Sequence, residues 1–168
     1  MTNATFVRVQ AALSLLLGGL ILASGPASAQ TATSSFSVSS SGTIGTPPGP
    51  LVAATAGAPE NINCTGTVKI VTTAVTDPSL PPGVVVRVDA RGLSCVGATS
   101  KAAYLNTGFA NLTRLLAAND VVKMTFALYP NTAGGFMKAR TGMVTANLTY
   151  NTTTGALTSA SVSIGNFQ

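Results

Sequence analysis

The sequence predicts an all-β protein, an antiparallel β-sandwich with one disulfide. Three observations carry that prediction. Short runs of apolar–polar alternation follow one another, divided by Pro-, Gly- and Asn-rich turns. The only two cysteines, Cys64 and Cys95, bracket two of these runs. Charged residues make up only 8% of the chain. Ser, Thr, Asn and Gly must therefore supply most of the wet surface, which suits an exported β protein better than a charged helical one.

The first 29 residues read as a secretory signal peptide. Arg8 supplies the positive start, Ala11 to Ala23 the apolar stretch, and Ala27-Ser28-Ala29 a small-x-small cleavage site. The apolar stretch is short of the ~20 residues a spanning helix needs. No later run is long and apolar enough to span as a helix either. Cleavage leaves about 139 residues starting at Gln30, enough for one core. Residues 30–60 are expected to form an N-terminal extension and linker with one weak strand, and 61–168 the β-sandwich domain. The expected location is the periplasm, the cell surface or the medium.

In chain order, Gln30 to Ser35 is small and polar and is expected to be disordered. Phe36, Val38, Ser40, Gly42 and Ile44 then share one parity, a thin apolar face that predicts a weak strand over 36–44. Thr46-Pro47-Pro48-Gly49-Pro50 ends it, because proline removes ladder donors. Leu51 to Glu60 is Ala-rich and reads as linker. Val68, Ile70 and Thr72 alternate with Lys69, Val71 and Thr73. After a proline turn at 77–83, Val84, Val86, Val88 and Ala90 face one way and Arg87 and Asp89 the other. Branched side chains favour strands in both runs. Arg87 and Asp89 are expected to form a surface ion pair worth little.

Phe109, Leu112, Leu115 and Leu116 recur at helical spacing among alanines, which predicts a short helix near 109–118, or an ordered loop. Val122, Met124, Phe126 and Leu128 define the clearest strand. Val144, Ala146, Leu148 and Tyr150 define another, and Ala160, Val162 and Ile164 the last. Asn151 to Gly155 joins those two as a hairpin loop. An outer-membrane barrel would need ~10-residue strands and aromatic girdles; the chain has no Trp and three Tyr.

Two cysteines in an exported chain predict one bridge, Cys64 to Cys95. With about 30 residues between them, chain entropy assigns it roughly 3–4 kcal/mol. A redox or metal pair would want CxxC or histidine partners, and the chain has neither. Without histidine there is no Ser-His-Asp or Cys-His machinery and no imidazole metal ligand. The four carboxylates, Glu60, Asp77, Asp89 and Asp120, lie far apart in sequence. No enzymatic activity, metal or cofactor is therefore expected. The basic residues are scattered singly, without the stripe that nucleic acid requires, so no nucleic-acid partner is expected.

A leader precedes a mature chain of about 140 residues with one disulfide and serial strands. A glycine stands fourteen residues from the end, Gly155, and an aromatic at the penultimate position, Phe167. This layout resembles that of a chaperone–usher pilin subunit. The fold class is accordingly immunoglobulin-like or pilin-like. The resemblance implies that Phe36, Val38 and Ile44 belong to a donor strand that completes another subunit's sheet. It also implies that Gly155 and Phe167 serve a C-terminal subunit contact, with other copies or a surface-assembly partner. The other reading is a self-contained periplasmic module for a small ligand or glycan. Its stacking groups would come from Tyr104, Phe109, Tyr129, Phe136 and Tyr150.

Overall fold

A computed structural model describes residues 30–46, 60–77, 79–135 and 139–166. The expected leader, most of the expected linker, Phe136 and Phe167 lie outside the described residues. Among the described residues nine strands follow in order: β1 Gln30–Ile44, β2 Ile62–Thr76, β3 Gly83–Asp89, β4 Leu93–Gly97, β5 Ala103–Asn106, β6 Phe109–Leu115, β7 Asn119–Pro130, β8 Arg140–Tyr150 and β9 Leu157–Asn166. All the ladder pairings are antiparallel. The all-β class and the disulfide are as the alternation and the cysteine count predict.

β2 is the strand the sheet is built on. One of its edges pairs with β1 along its whole length, from Gln30↔Thr76 to Ile44↔Ile62. Its other edge is shared: residues 69–75 pair with β3, and residues 62–66 with β4. The change of partner falls at Gly66, whose φ of 139° lies outside what an L side chain readily adopts. A Cβ there would also run into the carbonyl of Gly92. That carbonyl accepts a bond from the Thr67 amide, 3.3 Å. Cys64 and Cys95 are direct cross-strand partners, 4.1 Å apart at Cα, and their bridge ties β2 to β4.

From β4 the path continues through β5, β7, β8 and β9, while β3 is flanked by β6. The sheet curls so that β9 comes to lie beside β1. Alternation decides the inside. Ile62, Cys64, Val68, Ile70, Val84, Val86, Val88, Val122, Phe126, Leu128, Val144 and Leu148 are buried in one core. Each such aliphatic contributes about 1.5–3 kcal/mol on burial. Their strand neighbours, Lys69, Arg87, Lys123 and Thr145, face outward or lie half-buried. Apolar inside and polar outside is the reverse of a lipid-facing barrel.

The helix expected near 109–118 is not formed. Phe109–Leu115 is β6, paired with β3 from Gly83↔Leu115 to Asp89↔Phe109. The helical spacing of its apolar residues is misleading, since Leu115 is 71% exposed while Ala110 and Leu112 pack on the core. The physical reason is the open edge of β3. Its unpaired amides and carbonyls need a partner, and that demand outweighs the helix preference of a few alanines. Gln30 to Ser35, expected to be disordered, is likewise strand, because β2 offers it a complete ladder. The β8–β9 hairpin forms as expected. The Asn151 side chain accepts the amides of Thr153 and Thr154, at 3.0 and 3.1 Å, and Gly155 closes the turn at φ 73°.

Candidate functional site

The segment bearing Phe36, Val38 and Ile44 is β1, and the geometry around it is asymmetric. On its β2 side it has the ladder. On its β9 side no ladder forms among the described residues, and side chains make the connection. The Leu157 amide donates to Ser34 Oγ, 3.1 Å, and Ser40 Oγ donates to the Val162 carbonyl, 3.2 Å. The Gly45 amide donates to Asn166 Oδ1, 2.6 Å. Residues 34, 40 and 45 meet 157, 162 and 166, so β1 and β9 run in the same direction. Gly42 makes room for this seam: a Cβ there would strike the carbonyl and Cβ of Ile164.

The inward face of β1 is thin, as the sequence implies. Ile44 is buried at 2% exposure, Phe36 and Val38 are half-buried against the core, and Ser34, Ser40 and Gly42 interrupt them. Gly155 sits at the other end of the same seam. It is buried, and a Cβ on it would meet Ala74, with Ala32 of β1 close by. Thus two features named separately, the 36–44 segment and Gly155, belong to one surface. An open hollow of about 420 Å³ lies over Ser39, Ser40, Ser41, Gly66 and Thr67.

The other aromatics are dispersed. Tyr104 is half-buried, 3.4 Å from Glu60, and burial first, then the Glu60 charge, raises its pKa. Tyr129 pairs across from Leu105 in the register of β5 and β7. Tyr150 is buried, and burial, with the Asp120 charge added, pushes its pKa up to about 12. Phe109 lies 41% exposed on β6.

Each carboxylate is engaged locally. Glu60 accepts the Thr99 and Ser100 amides, both at 2.8 Å, and the Ser100 hydroxyl. The bonds from Ser100 are the main reason its pKa is lowered. Asp77 accepts the Ser79 hydroxyl and amide at 2.6 and 2.8 Å, which likewise lower it. Asp120 is lowered chiefly by its bond from Arg114, whose Nη2 stands 2.8 Å away. Lys101 donates to the Ala98 carbonyl, 2.6 Å.

Asp89 corrects an expectation. Its partner is Arg91, through Nε at 2.9 Å and Nη2 at 2.6 Å, and not Arg87. The bond from Arg91 holds Asp89 below its usual range. Arg87 leans instead over the Phe109 ring, 4.8 Å from its centroid, and Arg91 stands 5.0 Å from the same centroid. Sequence reasoning missed this cluster, because its members are separated by up to 22 residues and the β3–β6 register unites them. Compared with known proteins, the chain matches no family model, no curated protein and no solved structure.

Proposed function

We propose that this chain is an exported, non-catalytic β protein with a structural, surface or adhesive role, in its sharpest form a pilin-like subunit. The observation that carries this reading is the seam of β1. Its attachment is mostly backbone ladder to β2 plus three side-chain bonds to β9, and its apolar anchors are few. A ladder of that kind can be remade by the same segment of another copy at almost no net change in energy, as in strand exchange between identical protomers. The disulfide and the Ser/Thr-rich surface support an exported location.

A second reading, a self-contained periplasmic module for a small ligand or glycan, is favoured by the fact that β1 pairs within its own chain. One experiment separates the two. Sheared surface protein is run unboiled on a denaturing gel and probed for the mature chain. Bands at multiples of the monomer mass that collapse on boiling support the polymer. A single monomer band confined to the periplasmic fraction sinks it.

A further inference from the structure

We propose that the outer face of β2 and β3, at the corner formed by Lys69, Arg87, Arg91 and Phe109, binds an acidic polysaccharide through its sulfate or carboxylate groups. The register puts these residues together. Lys69 stands across from Asp89, and Val71 from Arg87, on the β2–β3 ladder. Arg87 stands across from Asn111, and Asp89 from Phe109, on the β3–β6 ladder. Lys69 and Arg87 are thus diagonal neighbours on one face, within mutual reach of long side chains. Their strand neighbours Ile70, Val86 and Val88 point into the core. Lys69, Arg87, Arg91 and Phe109 are all exposed.

The corner carries three cations and one carboxylate, and that carboxylate is taken. Asp89 accepts Arg91 Nε, Nη2 and amide at 2.9, 2.6 and 3.1 Å. Arg87 makes no hydrogen bond or close ion pair among the described residues; the Phe109 ring lies against it, and the Asp89 carboxylate, already bonded to Arg91, feels its charge without pairing with it. A guanidinium laid on an aromatic face keeps its N–H edges free, in the planar fork that suits carboxylate and sulfate. The ring limits the rotamers the side chain must give up on binding, which favours affinity. Lys69 adds a second charge, with no ion pair among the described residues. Ser37, across from Lys69, and Asn111, across from Arg87, offer neutral hydrogen-bonding groups suited to sugar hydroxyls.

The choice of polysaccharide over nucleic acid has two grounds. The one exposed ring here already has guanidiniums against it, so it is no platform for stacked bases. The other ground is the reading that the chain is exported, on which this choice of polyanion rests. The site itself is independent of whether β1 stays at home.

The test uses protein purified from the exporting cell. Its binding is measured at low and moderate salt to a fluorescent heparin oligosaccharide, an oligogalacturonate and a single-stranded DNA of equal charge. We expect at least one of the saccharides to bind, and the one that binds tells sulfate from carboxylate. Arg87→Ala should weaken binding by about tenfold, and Lys69→Ala by severalfold. Phe109→Leu keeps every charge yet should weaken binding at least about threefold, because Arg87 loses its support. Lys101→Ala and Lys123→Ala remove the same charge elsewhere and should cost less than about twofold. Circular dichroism confirms that each variant is folded. The proposal is overturned if neither saccharide binds, if the two control lysines matter as much as Arg87, if Phe109→Leu changes nothing, or if DNA binds more tightly. None of these outcomes bears on the polymer, which the gel tests separately.

Discussion

Replacing Gly42 by alanine should destabilise the protein, whereas the same change at Gly165 should not. The two glycines lie on β1 and β9, and neither has a left-handed φ. The backbone gain from Gly→Ala, about 0.4–1 kcal/mol through the unfolded chain, therefore applies to both and cancels in the comparison. What differs is space. A Cβ at Gly165 meets nothing within 4 Å, while one at Gly42 meets the backbone and Cβ of Ile164. Ile164 is buried and held in the ladder to β8, so it cannot yield like the tip of a flexible side chain. Overpacking of this kind costs about 1–3 kcal/mol. The two variants should differ by that amount in urea unfolding, and by about 3–15 °C in midpoint temperature for a domain of this size. Amide exchange gives a second readout. The Leu157 and Gly45 amides, which bond across the seam to Ser34 and Asn166, should exchange faster in Gly42→Ala. Equal unfolding midpoints for the two variants would refute the packing of β1 against β9 described above.

Removing the bridge with the double change Cys64→Ala, Cys95→Ala should cost about 3–4 kcal/mol for a separation of 31 residues, measured by urea unfolding; a loss under about 1 kcal/mol would contradict the assignment. Thr72→Val should stabilise by about 1–2 kcal/mol, because the Thr72 hydroxyl is buried without a partner among the described residues; a lower urea midpoint would show that the hydroxyl is satisfied. The pH profile of stability should be a plateau with two falling limbs. Glu60, Asp77, Asp89 and Asp120 are all lowered from ordinary values of 4.5 and 3.8, so their contribution is present above about pH 5 and lost as pH falls through that range. Tyr104 and Tyr150 are raised from 10, Tyr150 to about 12, so their contribution is complete below pH 10 and lost as pH rises past it. With no histidine in the chain, a midpoint between pH 6 and 7 would mean that another group governs stability.

What was legible in the sequence follows from period and burial. Val84, Val86 and Val88, or Val122 to Leu128, alternate because one side of each strand meets the core, and any such pattern can be read without knowing the neighbours. β6 was not legible for the same reason turned around. Phe109–Leu115 is a sheet edge whose partner is β3, so its conformation is decided by a strand some 26 residues earlier and not by its own composition. Gln30 to Ser35 was missed likewise: a polar segment shows no pattern, yet β2 supplies it with a full set of ladder bonds. The thin face of 36–44 was readable. That it closes the sheet against β9 was not, because the closure rests on Ser34, Ser40 and Gly42, residues chosen for smallness and a hydroxyl and not for apolarity.

The same logic separates the two candidate surfaces. Along the chain, Lys69, Arg87 and Arg91 are single charges in a lightly charged protein, and linear reading rightly finds no basic stripe. In an antiparallel sheet, however, residues from neighbouring strands and the turn between them stand side by side, and their charges add where the sequence separates them. Whether such a group matters depends on what neutralises it. At Arg114 the matching carboxylate, Asp120, is at hand and the pair is complete. At the β2–β3 corner Asp89 pairs closely with Arg91 and interacts with Arg87 only through its charge, and Arg87 rests on a ring that orients it without cancelling its charge. A cation supported in that way has given up part of its freedom and none of its charge, so an incoming anion gains most of the Coulomb and hydrogen-bond energy at a reduced entropic cost. The distinction between Arg114 and Arg87 lies in neighbours from other strands, and for that reason only the register reveals it.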